Sequence, residues 1–302
     1  MSSGGIRVAN APCSWGILEF EGFDHPPESE KTLREMREAG YAGTELGDWG
    51  FLPTGPEPLK RVLGEHGLDL VGGFVPVFLV DEAAHAAGIE YALMHARLMA
   101  AVNPRAFVVL ADDNCRVDVR VRNAGRVTPD MGLSDADWDT FAKGATAVAK
   151  AVRDETGLRT VFHHHGGGYV ETPAEVAQLM GRTDPGLLGL CLDTGHWTRG
   201  GGDALAALRE YGDRVWHVHF KDASPEVSRR SDAEGWDYHQ TVRHGVFCEL
   251  GRGSVDFPAI LETLRGRGYE GWIVVEQDVV PGMGTPFESA VHSRKYLRGL
   301  GL

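Results

Sequence analysis

Thr160-Val161-Phe162-His163-His164-His165 is a β-rich apolar run that ends on three histidines. Three later runs end on chemistry in the same way. Leu188-Gly189-Leu190-Cys191-Leu192-Asp193 leads into Thr194-Gly195-His196, and Val215-Trp216-His217-Val218-His219 leads into Phe220-Lys221-Asp222. Trp272-Ile273-Val274-Val275 ends on Glu276. Successive strands therefore deliver His, Asp, His and Glu from their C-terminal ends. In a closed parallel barrel those ends converge on one rim, where active sites sit.

Working outward, short β-branched runs alternate with longer amphipathic ones. The pattern predicts strands near Val8–Pro12, Ala42–Leu46, Asp69–Phe74, Ala106–Ala111, Thr160–His165, Leu187–Asp193, Val215–Phe220 and Trp272–Glu276. Helices are expected near Glu28–Ala39, Glu57–His66, Glu82–Val102, Asp135–Glu155, Pro173–Gly181, Ala204–Tyr211, Phe257–Arg267 and Pro286–Leu297. Ser134…Asp137 and Thr172…Glu175 carry a capping hydroxyl with an acid three residues on. Gly40, Gly67, Gly157 and Gly268 follow helix ends as left-handed caps do. Eight strand–helix units predict a (β/α)8 TIM barrel, a single domain over residues 1–302. Two βα connections are long, 112–132 and 223–254, and suit a lid, a substrate-facing surface or oligomer contacts. The glycine tracts Gly166–Gly168 and Gly200–Gly202 suit backbone approaching a ligand closely, or simple turns.

Composition narrows the function classes. A formal charge of -13 disfavours nucleic acid and anionic membrane as partners. No apolar run approaches the roughly 20 residues that span a bilayer, and no signal peptide is visible. Cys13, Cys115, Cys191 and Cys248 are far apart and read as reduced thiols of a cytoplasmic protein. The expected partner is a small molecule, with a second copy of the chain as a candidate neighbour.

A His and carboxylate cluster at a barrel rim suits a divalent metal such as Mn, Co, Zn or Fe. Residues two apart on a strand share a face but lie roughly 6.5–7 Å apart, so one ion cannot readily take both members of a pair. His219 is favoured over His217, which reads as a buried polar neighbour. Between His163 and His165 the strand pattern leaves the choice open.

Asp193-Thr194-Gly195-His196, His217-Val218-His219-Phe220-Lys221-Asp222 and Gly268-Tyr269-Glu270-Gly271-Trp272…Glu276 resemble the xylose-isomerase-like barrel superfamily of sugar isomerases and epimerases. Within it, Ala11-Pro12-Cys13-Ser14-Trp15-Gly16, Gly40–Gly47, His163-His164-His165-Gly166 and Tyr169-Val170-Glu171-Thr172 look like the inosose dehydratase branch. The resemblance implies one divalent metal, usually Mn, Co or Mg, held by Glu, Asp, His and Glu. Asp193, His219 and Glu276 match three of those positions, while His163 stands where the superfamily has its first Glu. Loss of that carboxylate favours elimination over epimerisation, which needs a base on each face of the reacting carbon.

The substrate expected on this basis is a small polyol or sugar ketone, and the activity metal-dependent dehydration of 2-keto-myo-inositol by α-proton abstraction and β-hydroxyl loss. A ketose epimerase or aldose–ketose isomerase is the alternative. Lys221 is the expected electrophile or proton donor, His165 and His196 the base and acid. Glu45, Trp15 and Arg252 are expected to touch substrate. A 3-dehydroshikimate dehydratase would need a well-placed arginine, and an endonuclease IV-like enzyme a basic groove. A silent, ligand-binding member is the non-enzymatic reading.

Overall fold

The computed structural model describes residues 5–16, 28–278 and 284–302. In chain order the first seven strands are β1 (Ile6–Asn10), β2 (Gly43–Glu45), β3 (Asp69–Val77), β4 (Phe107–Asp112), β5 (Arg159–His163), β6 (Leu188–Asp193) and β7 (Val215–Phe220). A hairpin of β8 (Asp222–Ala223) and β9 (Phe247–Cys248) intervenes before β10 (Gly271–Val275). Eight parallel strands close in the order β1-β10-β7-β6-β5-β4-β3-β2, the expected barrel. Among the described residues no helix is long and apolar enough to cross a membrane.

The helices are α1 (Ser29–Ala39), α2 (Pro56–His66), α3 (His85–Val102), α4 (Asp118–Arg122), α5 (Asp135–Thr156) and α6 (Pro173–Arg182). They continue with α7 (Thr194–Arg199), α8 (Ala204–Tyr211), α9 (Pro225–Glu234), α10 (Tyr238–Arg243), α11 (Phe257–Gly266) and α12 (Pro286–Gly299). Outer helices bury one face on the strands; α5 does so with Trp138, Phe141, Ala145, Val148 and Val152. Each fully buried Leu, Val or Phe contributes about 1.5–3 kcal/mol. β6 is buried along its whole length, as a strand covered on both faces must be. Both expected capping boxes form, at Ser134 with Asp137 and at Thr172 with Glu175.

The differences from expectation have local causes. β1 stops at Asn10 because Pro12 lacks the donor that would continue the ladder and opens a 3₁₀ turn, Pro12–Trp15. β5 ends at His163, and the His165 N–H turns to Val170 O (3.0 Å). α7 follows Asp193 directly and is too short to show a helical period. The glycines at 166 and 168 make room for side chains: a Cβ on Gly166 would meet the Tyr238 ring at 3.1 Å, and one on Gly168 the Asn114 amide at 2.3 Å.

The two long connections pack on each other at the C-terminal mouth. Residues 112–132 carry α4; residues 223–254 carry α9, α10 and β9. Ala124 of the first joins Tyr238, Val242, Val246 and Phe247 of the second in an apolar cluster separate from the main core. Arg126 donates to Trp236 O (2.9 Å), and Arg199 of α7 bridges Ala124 O (2.9 Å) and Asp232 (2.8 Å). Beneath them Arg120, fully buried, donates to Gly168 O (2.8 Å) and pairs with both Glu175 oxygens (2.8 and 2.9 Å). Glu175 in turn caps α6, so one ion pair ties α4, the 166–168 turn and α6 together.

Removing one partner of a buried pair leaves an uncompensated charge, at about 3–5 kcal/mol. Arg120→Ala is therefore expected to lower the unfolding free energy by about that amount. The measurement is a urea titration of both proteins; a shift under about 1 kcal/mol, the level of a surface pair, would contradict the clamp.

Candidate metal centre

The parallel register sets the four rim residues side by side. Asp193 pairs with His219 across β6 and β7, and His219 pairs with Val274 of β10. Glu276 follows β10 directly, its N–H donating to Phe220 O (3.1 Å). His163, Asp193, His219 and Glu276 are all buried, with one ligand atom from each within 4.8 Å of the others. His163 Nε2 lies 3.7 Å from Asp193 Oδ2, and His219 Nδ1 lies 3.9 Å from Asp193 Oδ2 and 3.1 Å from Glu276 Oε1. Of the two histidines left open by the strand pattern, it is His163 that joins this group, while His165 lines the cavity above.

Glu45 decides which His219 nitrogen faces the group. Its Oε1 lies 3.1 Å from His219 Nε2 and 2.8 Å from His217 Nε2, a reach across the barrel interior from β2 to β7. A carboxylate oxygen only accepts, so both Nε2 atoms carry the protons and His219 Nδ1 is left bare. Gly72 gives Glu45 its space, since a Cβ there would touch Oε1 at 3.0 Å. Burial pushes the Glu45 carboxyl up, but His219 and His217 outweigh it and hold it at about 2.

Two buried atoms, His219 Nδ1 and Asp193 Oδ2, thus have no hydrogen-bond partner among the described residues. Buried acceptors converging on one point favour a positive charge between them. Burial opposes charge on His219, yet Cys191, Glu276 and Glu45 raise its proton affinity well above that of an ordinary imidazole. Without a metal a second proton on Nδ1 would face Glu276 Oε1, and a metal would take that proton's place. The separations suit ligands that share an ion about 2.1 Å from each. The residues present fit a divalent metal, with Glu45 as the carboxylate that orients a ligating histidine.

The Asp-Thr-Gly-His sequence assembles the wall between β6 and β7. Asp193 Oδ1 caps α7 by accepting from His196 N (2.7 Å), which leaves Oδ2 for the cluster. Thr194 Oγ1 accepts from Lys221 N (3.0 Å) and donates to Lys221 O (2.7 Å). Gly195 makes room for Lys221, whose Cγ would lie 2.6 Å from a Cβ at that position. The Lys221 ammonium donates to Asp278 (2.9 Å), Glu276 Oε2 (3.2 Å) and His196 Nε2 (3.3 Å). Burial works against its charge, but Asp278, Glu276 and Asp193 together hold it protonated.

A cavity opens on the cluster, lined by the polar residues Glu45, Asp48, His163, His165, Lys221, Tyr238, Glu276 and Asp278 and by Ala11, Pro12, Cys13, Gly47, Phe74 and Cys115. His165 Nδ1 faces Gly166 O (2.8 Å), an acceptor only, so its Nε2 is bare toward Tyr238 Oη (3.4 Å). Burial, with His163 and Lys221 nearby, lowers His165 to about 3 and keeps it neutral.

Three expected site residues sit elsewhere. Trp15 lies in the main core with its indole N–H on Glu35 (2.7 Å), away from the cavity lining. Arg252 is exposed and pairs with Glu249 (2.7 Å), also away from the lining. His196 stands behind Lys221, its Nε2 3.3 Å from Lys221 Nζ and its Nδ1 3.3 Å from Gly166 N, and it lies outside the cavity lining. Asp278 and Tyr238 were not anticipated. Asp278 follows Glu276 at the same-face spacing of two, a signal present in the sequence; Tyr238 carries no such signal.

Residues 33–300 match the family described as xylose isomerase-like TIM barrel. An inosose dehydratase of Lacticaseibacillus casei is 31% identical over 295 residues, covering 97% of this chain and 96% of the relative. The rhizopine catabolism protein MocC of Rhizobium meliloti is 35% identical over 285 residues, covering 94% and 85%. Among solved structures, that of an L-ribulose 3-epimerase superposes with a TM-score of 0.70 at 19% identity, covering 99% and 95%, a likeness of fold.

Glu45→Gln keeps the shape but puts an amide where a carboxylate accepts two imidazole protons. Disturbing such an orienting partner weakens metal binding by about 10–100-fold. Competition with a chromophoric chelator for Mn measures this, and an unchanged affinity would remove Glu45 from the centre.

Proposed function

The chain belongs to the xylose isomerase-like TIM barrel family, and we propose that it dehydrates a cyclic polyol ketone of the 2-keto-myo-inositol type at the cavity over His163, Asp193, His219 and Glu276. One observation carries the reading: among the described lining residues, His165 presents an unprotonated Nε2 directly beside the four-residue group. Asp193 spends one oxygen on the α7 cap, Glu276 is shared between His219 and Lys221, and His163 stands where the family resemblance implies a carboxylate. His165 Nε2 remains. A neutral imidazole beside the four-residue group suits removal of the α-proton followed by loss of a leaving group. The inosose dehydratase named among the relatives, similar over nearly all of both chains, supports the same choice.

A divalent ion on the four ligands, Mn or Co by the mixed imidazole and carboxylate donor set, would act as Lewis acid toward the ketone and its neighbouring hydroxyl. The chain's own residues then divide the work. His165 takes the α-proton on Nε2. Lys221, charged and locked by Asp278 and Glu276, presents its ammonium to the oxygen on which negative charge grows. His196 and Thr194 position Lys221 and do not touch substrate. Glu45 orients His219 and also lines the cavity.

Metal-stripped protein reconstituted with Mn or Co is expected to convert 2-keto-myo-inositol to a product lighter by one water, with a new ultraviolet absorbance. Lys221→Met is expected to lower kcat by about 10²–10³-fold, as loss of one preorganised donor does. Solvent deuterium entering ketoses without water loss would move the assignment to an epimerase.

A further inference from the structure

Dehydration needs a proton for the departing hydroxyl as well as a base for the α-hydrogen, and the Lys221 ammonium is already directed to Asp278 and Glu276. We propose that Tyr238 is the acid: its phenol, delivered by α10, protonates the leaving hydroxyl and recovers its proton from His165. This rests on the dehydratase reading above.

Tyr238 opens α10, whose start is set by the Asp237 cap and its reciprocal bond with Gln240. Its ring lies against Gly166, where a Cβ would intrude at 3.1 Å, and sits in the apolar cluster with Ala124, Val242, Val246 and Phe247. The ring is thus fixed by both long connections, and the residue lines the cavity beside His163, His165 and Lys221. Its hydroxyl stands 3.4 Å from His165 Nε2, the nitrogen left bare by the Nδ1 bond to Gly166 O. The contact is long for a hydrogen bond, as acid–base contacts are before substrate draws them together.

The proton account closes within the pair. His165 Nε2 takes the α-proton, and the C–H electron pair moves into the enediolate. That pair then expels the β-hydroxyl, the C–O bond breaks toward oxygen, and the Tyr238 O–H proton goes to it, releasing water. The phenolate takes back the proton on His165. Substrate has lost H and OH, and both side chains are restored with no further reactant.

The test is Tyr238→Phe, which keeps the ring and its packing, compared with wild type and His165→Asn in metal-loaded protein. Two rates are followed on 2-keto-myo-inositol in deuterium oxide: exchange at the α-carbon and water loss. Tyr238→Phe is expected to keep exchange within about threefold while water loss falls about 10²–10⁴-fold, the range of general acid catalysis. His165→Asn is expected to lose both. Water loss by Tyr238→Phe at the wild-type rate overturns the assignment, and so does an equal fall in both rates, the mark of a merely positioning role. Wild-type turnover is scored on its own, because its absence refutes the dehydratase reading rather than the role of the phenol.

Discussion

A single carboxylate oxygen between two imidazoles organises the barrel's mouth. Glu45 Oε1 receives His217 and His219 from a strand that is not its neighbour, so β2 and β7 are tied across the interior. The direction of those bonds turns His219 Nδ1 toward Asp193 and Glu276. Without it, His219 could present either nitrogen, and the four-residue group would lose its arrangement. Ligand geometry in this chain is thus set by a buried acid outside the group, at a strand end whose neighbour Gly72 leaves it room.

The motif residues around that group serve one another more than they serve a ligand. Thr194 holds the Lys221 backbone, Gly195 clears space for its stem, and Asp278 and Glu276 fix its ammonium. Asp222 accepts from the backbone N–H groups of Gly251, Gly253 and Val255 and anchors the return from the long connection. That connection carries Tyr238 over the cavity. The cavity is therefore built in two layers, a rigid rim on strand ends and a roof of loop helices with its own small core.

The barrel was legible because parallel strands covered on both faces read as apolar runs, each ending abruptly in polar residues. His163, Asp193, His219 and Glu276 were legible for the same reason, since a strand's end marks its depth in the barrel. What lay beyond the strands was not. Trp15 follows a proline that ends β1, and its fate depends on Glu35, twenty residues away. Glu45 lines the cavity, but nothing local in the sequence reveals its partners on the far side of the barrel. Arg252 belongs to an exposed turn, and Tyr238 acquires its place only when two long loops pack together. Pattern reports which face a residue takes; it does not report which loop covers it.

The central claim is that one ion would sit on His163, Asp193, His219 and Glu276, and it is set against a second buried group, Glu45, His217 and His219, whose donor atoms also lie close together. Anomalous diffraction from crystals of Mn-loaded protein, collected on either side of the manganese edge, separates the two. A single peak bonded to His163, Asp193, His219 Nδ1 and Glu276, with Glu45 still hydrogen-bonded to both Nε2 atoms, is the predicted result. A peak among Glu45, His217 and His219 Nε2, or no bound metal at all, would contradict it.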